Sequence, residues 1–277
     1  MTARCPEPLS AAPPARLAGL RTILTDIDDT LTEEGRLPSV AYAAMEALAG
    51  AGLRVIPVTG RPAGWCDAIA RQWPVAAVVG ENGALWYAED RANRRMLRWQ
   101  AQEEAVRLAG RGRLMALAEV AMAAVPGSRI AADQPFRLFD VAVDFAEDAG
   151  PLPLDDAARI AAVFRDGGAQ AKVSSIHVNA WFGDWDKRAG IAALFDALFE
   201  PLDHALPTAA FLGDSPNDAP LFAAVPLSIG VANVAPHLDR MEARPAYVTH
   251  APGGRGFAEF AAAVLAARSE HMRENAA

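Results

Sequence analysis

Short apolar runs of strand length alternate with segments of helical spacing through the first eighty residues. Thr22-Ile23-Leu24 is a buried-type run. After Pro38 and Ser39, apolar residues fall at Val40, Ala43, Ala44, Ala47 and Leu48, the spacing of a helix that Gly50 and Gly52 stop. Leu53–Val58 reads as a second strand, Pro62 suits the first position of a helix to about Trp73, and Val75–Val79 is a third strand. The turn Gly80-Glu81-Asn82-Gly83 follows, rich in residues that tolerate positive φ. Strand, helix and strand in this order predict a parallel βαβ unit with a right-handed crossover.

From about Ala84 to Gly183 the pattern changes. Leu85-Trp86-Tyr87 is a short strand, an arginine-rich polar stretch runs from Arg91 to Arg98, and a helix is expected from about Ala101 to Val125, broken near Gly110 and Gly112. Phe139–Phe145 alternates apolar and polar residues, as a strand with one face on a core and one in water does. A helix over Leu154–Asp166 ends at Gly167-Gly168, and Ala171–Ala180 reads as a strand. Its period of two places Ser175, His177 and Asn179 on one side, ahead of Trp181 and Trp185. Such a face is either an ordinary wet sheet surface or a recognition surface for a polyhydroxylated ligand.

The parallel pattern then resumes. A helix starts at Asp186-Lys187, Ala209–Leu212 is a strand, Gly213–Asp218 is a loop, and Leu227–Gly230 and Ala246–Val248 are the last strands before a helix from Phe257 to about Ala267. The expected fold class is α/β: a Rossmann-like parallel-sheet core of residues 21–84 and 184–268, split by an inserted α+β module of residues 85–183. Residues 1–20, rich in Ala and Pro, read as a loose, disordered tail, and 269–277 as a frayed end.

Composition narrows the function classes. A net charge of −8 with no basic patch argues against a nucleic-acid partner. No apolar run is suited to span a bilayer. Two cysteines, Cys5 and Cys66, make neither a disulfide framework nor a zinc site, and free thiols suit a cytoplasmic protein.

The chemistry gathers where strands are expected to end. Thr25-Asp26-Ile27-Asp28-Asp29-Thr30 puts three carboxylates in four residues at the carboxyl end of the first strand. Two like charges about 4 Å apart repel by roughly 4 kcal/mol at an effective dielectric of about 20, so the group needs a cation or a raised pKa. Alone, such a loop also reads as a solvated acidic turn. Thr59 lies at the same sheet edge, and Arg61 stands before a helix N-terminus, where it either shares the site with an anion or points into water. Glu81 and Asn82 sit at the edge of another strand, where a substrate-facing role is reasonable. A second acidic loop brings Asp214 and Asp218, and Lys187 opens a helix. Together these residues suit phosphoryl transfer: carboxylates from two loops hold an oxygen-liganded metal, Mg²⁺ rather than Zn²⁺, while Lys187 and Thr59 stabilise phosphoryl oxygens.

In order and spacing these four stretches resemble the four motifs of the haloacid dehalogenase superfamily from about Arg21 to Ala267, and the insertion resembles the cap of its type IIB (Cof-like, sugar-phosphate phosphatase-like) branch. The resemblance implies Asp26 as the nucleophile that becomes an aspartyl phosphate and Asp28 as the general acid and base. It implies Thr59 and Lys187 on the phosphoryl group, and Mg²⁺ held by Asp26, the Asp28 carbonyl and Asp214, with Asp218 in support. Gly60, Arg61, Glu81, Asn82, His177, Asn179 and Asn217 complete the candidate substrate contacts. Where the motif more often has Gly, this chain has Asp29, which can adopt the turn geometry. A dehalogenase has no alcohol to protonate, so Asp28 favours phosphate chemistry. The expectation is a Mg²⁺-dependent phosphatase of a small phosphorylated metabolite, a sugar phosphate above all, acting as a monomer or homodimer. A phosphosugar mutase and a non-catalytic sugar-phosphate sensor are the alternatives.

Overall fold

The computed structural model describes residues 5–276. The chain opens with β1 (Glu7–Pro8) and α1 (Pro14–Ala18), then forms β2 (Thr22–Thr25), α2 (Ser39–Gly50), β3 (Arg54–Pro57), α3 (Ala63–Gln72) and β4 (Val78–Gly80). A hairpin of β5 (Leu85–Asp90) and β6 (Arg95–Gln100) precedes α4 (Glu104–Ala124), β7 (Arg129–Ile130), β8 (Val141–Asp144), α5 (Leu154–Asp166), β9 (Gln170–Val173) and β10 (His177–Trp181). The rest is α6 (Lys187–Leu198), α7 (Leu202–Ala205), β11 (Ala209–Gly213), α8 (Ala219–Ala224), β12 (Leu227–Gly230), β13 (Tyr247–Val248) and α9 (Gly253–Ala276).

Six strands form one parallel sheet in the order β1-β13-β12-β11-β2-β3. The register sets Thr25 beside Leu212 on one side and Pro57 on the other, so the loops after β2, β3 and β11 emerge side by side at one edge. Both faces are covered, which accounts for the near-continuous apolar runs of β2, β3 and β11. An antiparallel sheet of order β7-β8-β10-β9 packs α4 and α5 against one face through Leu114, Ala118, Phe164, Val143 and Val178. This is the inserted α+β cap. No helix among the described residues is long and apolar enough to cross a membrane.

Several expectations change. Residues 5–20 are not a loose tail: β1 pairs in parallel with β13, and Leu9, Leu17 and Leu20 are buried in the core that includes Phe260 and Val264 of α9. Residues 1–4 of the expected tail lie outside the described residues. The expected frayed end is helical as far as Ala276. The β5–β6 hairpin belongs with the core, not the cap, because β5 pairs with β4 and an isolated parallel bridge, Val58 to Val79, ties β4 to the main sheet. Helix α4 runs unbroken through Gly110 and Gly112. The run Ala171–Ala180 is two antiparallel strands, so Ser175 sits in the turn between them and not on the strand face. On α2 the buried stripe is Ala41, Met45 and Leu48, one position round from the expected face, which leaves Val40 exposed.

Two glycines fix where α6 begins. Gly83 has φ +102°, and a Cβ there would collide with the Asp186 carbonyl; a Cβ at Gly190 would in turn collide with Gly83. This close approach seats the first turn of α6, and with it Lys187, against the loop after β4. Gly83→Ala is expected to destabilise the protein by about 2 kcal/mol or more through strain and overpacking, read from a urea unfolding curve. An unchanged midpoint would mean that the loop relaxes freely.

Candidate active site

The loop after β2 carries Asp26 at the shared edge, its backbone N–H donating to the Leu212 carbonyl at 2.9 Å. Asp29 takes φ 54°, the left-handed turn conformation expected of it. Its N–H donates to Thr32 Oγ1 at 3.0 Å, and its carbonyl accepts from Asn233 Nδ2 at 2.9 Å. The loop after β11 is fixed by Asp218, whose Oδ2 accepts the N–H groups of Asp214 at 3.1 Å and Ser215 at 3.3 Å. A Cβ at Gly213 would strike that carboxylate, so the glycine makes the turn possible. Asn217 is used within the same loop, its Oδ1 accepting from Ser215 Oγ at 2.7 Å.

Asp26, Asp214 and Asp218 are all buried and bring one carboxylate oxygen each to within 4.8 Å of one another. Lys187, at the start of α6 where the Asp186 side chain caps the helix, reaches into this group. Its Nζ lies 3.0 Å from Asp26 Oδ1 and 2.7 Å from Asp218 Oδ1. Thr30 Oγ1 donates to Asp214 Oδ1 at 3.0 Å. Burial pushes the Asp26 carboxyl up to about 7; Lys187 opposes the rise, and Asp218 and Asp28 add to it. Burial likewise raises Asp214, reinforced by Asp218 and Asp26. For Lys187 burial works against the ammonium, but Asp218 and Asp26 hold it above its ordinary value. One ammonium against three buried carboxylates leaves excess negative charge, and the donors are all hard oxygens. That set fits a divalent cation of the Mg²⁺ type.

Thr59 is fully buried, and its Oγ1 accepts from the Arg61 N–H at 3.0 Å. The Asp28 carboxylate stands apart from the acidic group. Arg61 Nε lies 2.9 and 3.0 Å from its two oxygens, and Nη2 lies 2.8 Å from Oδ1. Arg61 therefore neither presents an open anion site nor points into water, the two readings that its place before α3 leaves open. Its other bonds go to the cap: to Glu147 at 2.6 and 3.2 Å, and to Asp133 at 3.5 Å.

The remaining candidates lie along the seam between core and cap. Glu81 is fully buried and accepts the N–H groups of Ala63, Leu138, Phe139 and Asp140 at 2.6 to 3.1 Å. It ties the cap to the start of α3 and does not face a substrate. Burial pushes its carboxyl up to about 7, and Asp140 adds to the rise. The Gly60 carbonyl accepts from Arg137 Nη1 at 2.8 Å, and Arg137 is held in turn by Asp133 and Asp140. Asn179 Nδ2 donates to Asp140 Oδ2 at 2.9 Å, and a Cβ on Gly60 would meet Asn179 and Asn82 at 3.3 Å. His177 is buried with Nε2 2.9 Å from Glu147 Oε2. The face of β10 does turn toward the core, but His177 and Asn179 are enclosed in the seam. Trp181 and Trp185 stack 6.2 Å apart inside the core and offer no open platform. The second face of β8, expected to be wet, is buried for the same reason.

A cavity of about 360 Å³ beside Asp28 is lined instead by Glu147, Ser175, Ile176, Arg61, Asp29 and neighbouring loop residues. Sequence reading missed Glu147, Asp133 and Arg137. The spacing Asp133, Arg137, Asp140 was a signal, since charges three and four apart pair with one another when a chain turns helically. Glu147 had no local signal. It is presented by a loop whose N–H groups, from Ala146 to Ala149, all donate to the Asp144 carboxylate at 2.9 to 3.0 Å.

Residues 23–107 match the model of a family described as haloacid dehalogenase-like hydrolase. Among solved structures, the C-terminal domain of Candida albicans trehalose-6-phosphate phosphatase is 14% identical, with TM-score 0.69, covering 95% of this chain and 99% of that one. The sucrose-phosphatase of Synechocystis is 13% identical, with TM-score 0.60 and coverage of 88% and 97%. A haloacid dehalogenase subclass IIB sugar phosphatase is 13% identical, with TM-score 0.55 and coverage of 84% and 94%. No protein of curated function matches the sequence. The family match falls on the β2 loop and the Thr59 stretch, and the solved structures share the fold of this core and cap.

Proposed function

We propose that the protein is a cytoplasmic, Mg²⁺-dependent phosphomonoesterase acting on a small phosphorylated metabolite, of which a sugar phosphate is the first choice. The observation that carries this reading is the buried Asp26/Asp214/Asp218 group bridged by Lys187, with Asp28 two residues on from Asp26 and its carboxylate held by Arg61. The sugar phosphatases of similar fold support the substrate class.

In this reading Asp26, Asp214 and Asp218 hold the metal, with the Asp28 carbonyl as a further donor. Mg²⁺ supplies charge neutralisation for the carboxylates and the phosphoryl group. An Asp26 oxygen attacks phosphorus while the bond to the ester oxygen breaks, and the leaving alcohol takes the proton of Asp28. Asp28, now a carboxylate, takes a proton from water, whose oxygen attacks the aspartyl phosphate. Phosphate leaves and the Asp26 carboxylate is restored. Lys187 keeps its ammonium on the attacked side, and the Thr59 hydroxyl, which accepts from Arg61 N–H, still has its own hydrogen to donate to a phosphoryl oxygen.

The test is inorganic phosphate release across a panel of phosphorylated metabolites, with and without metal. The expected result is release that EDTA abolishes and added Mg²⁺ restores. Undiminished metal-free turnover would remove the metal from the scheme. Isomerisation of a sugar phosphate without release would replace hydrolysis by phosphomutase chemistry.

A further inference from the structure

The cavity of about 360 Å³ opens directly on Asp28, so in the proposed reaction the leaving alcohol lies in it. Its charged lining is one-sided. Asp28, Asp29, Glu34 and Glu147 bring carboxylates to it, and among the described residues Arg61 is its one basic side chain. That guanidinium is already engaged on its edges and on one face. Asp28 holds Nε at 2.9 and 3.0 Å, and Glu147 holds Nη2 at 2.6 Å and Nη1 at 3.2 Å. Asp133 lies 3.5 Å from Nη1, and the Trp65 ring covers the guanidinium with its centroid 4.4 Å from Cζ. Beyond Asp29 lies a second cavity of about 500 Å³, which shares Asp29, Glu34 and Ser175 with the first and adds Glu33 and Asp214. Its Arg255 is paired with Glu33 at 2.9 Å, and burial and Arg240 hold the half-buried His237 below its ordinary value. Among the described residues, neither cavity offers an unengaged cation to an anion carried by the leaving alcohol.

We infer that this cleft selects its phosphate ester by charge, with Asp29 and Glu147 as the residues that set the preference. It admits a leaving alcohol that is uncharged or carries an ammonium group, and it rejects one that carries a carboxylate or a second phosphate. The inference rests on the phosphatase reading and names the charge class of its substrate. An unpaired like charge excludes a competitor without needing any contact to the favoured substrate. A carboxylate or second phosphate on the alcohol would meet Glu147 or Asp29 with no basic group left to pair it, whereas an ammonium there finds carboxylate oxygens to accept its hydrogens. Burial alone would raise the Glu147 carboxyl, but His177 and Arg61 beside it hold it at about 2, so it is a carboxylate at neutral pH. The Asp29 carboxylate is not what holds its turn. At φ 54° the residue is fixed through its backbone, the N–H donating to Thr32 Oγ1 and the carbonyl accepting from Asn233 Nδ2. Its side-chain charge therefore acts on the two cavities that it divides.

Two series of phosphate esters, each matched in size, separate the charge classes. One is 2-hydroxyethyl phosphate, phosphoethanolamine and phosphoglycolate; the other is glucose 6-phosphate, glucosamine 6-phosphate and 6-phosphogluconate. In each series that is turned over, kcat/KM for the carboxylate member is expected to lie about 10-fold or more below that of the neutral member, with the ammonium member at or above the neutral one. Asp29→Asn keeps a residue that tolerates the left-handed turn, and Glu147→Gln keeps the side-chain volume. Each should raise the ratio of carboxylate-member to ammonium-member kcat/KM by about 10-fold. A merely structural residue would lower both members together and leave that ratio where it was. Equal kcat/KM across the wild-type series, preference for the carboxylate member, or an unchanged ratio in whichever variant folds would overturn the inference. Phosphate release from p-nitrophenyl phosphate alone would keep the phosphatase reading and overturn the inference, since both series contain alcohols of the admitted class. Release from none of these esters, with or without Mg²⁺, would remove that reading and the inference with it.

Discussion

Asp26→Asn is expected to reduce turnover by roughly three orders of magnitude or more while leaving the fold intact. The amide has the volume of the carboxyl it replaces and an oxygen that can still accept the Lys187 hydrogen bond, 3.0 Å long in the native protein. It cannot, however, form an acyl phosphate as an aspartate does. The substitution also removes one of three buried like charges, and burial already pushes the Asp26 carboxyl up to about 7. Thermal unfolding of the metal-free variant should accordingly occur at or slightly above the wild-type temperature. Calorimetry should still detect Mg²⁺ at Asp214 and Asp218, more weakly for the loss of one ligand charge. Activity near wild type would sink Asp26 as the nucleophile. A variant that neither folds nor binds metal would instead make Asp26 a structural residue.

The residues proposed for this reaction are legible because each is announced locally. Asp26 and Asp214 each follow an apolar run that becomes a buried parallel strand, and Lys187 follows the helix-capping Asp186. Strand order then does the rest, since β11, β2 and β3 are neighbours and their carboxyl ends coincide. What the sequence could not disclose depends on one surface closing on another. Arg61 before α3 offered an open anion site in local terms. Its true partners are Asp28, 33 positions away, and Glu147, 86 positions away. Glu81 and Asn179 likewise looked substrate-facing until the seam enclosed them. The opening residues misled for another reason: a stretch rich in Pro and Ala carries too few large apolar residues to show a period. Leu9, Leu17 and Leu20 are nonetheless enough to bury it once α9 is present. The β5–β6 hairpin follows the change of pattern near Ala84, and only its pairing with β4 assigns it to the core.

Lys187→Met is expected to produce the largest loss of stability of any single change in the site, and the reason is the imbalance of charge it leaves. The ammonium is buried, 3.0 Å from Asp26 and 2.7 Å from Asp218, and methionine fills the space without the charge. Removing one partner of a buried ion pair costs about 3–5 kcal/mol, because the other is left uncompensated. Here two carboxylates are left, with Asp214 close by. The sign with pH follows from Lys187, whose folded pKa is raised above its ordinary 10.5 by Asp218 and Asp26 against the effect of burial. The stability it contributes is fully present below 10.5, so the deficit of the variant spans the whole neutral range. It should shrink as the pH falls and the carboxylates take up protons. In the proposed reading Mg²⁺ binds the same carboxylates, so millimolar Mg²⁺ should restore more melting temperature to Lys187→Met than it adds to the wild type. Turnover should stay lost even then, because the cation restores the charge balance but not the ammonium proposed to contact the phosphoryl group. A variant that melts like the wild type without metal, or that turns over once Mg²⁺ is supplied, would show that Lys187 neither balances the acidic group nor takes part in the reaction.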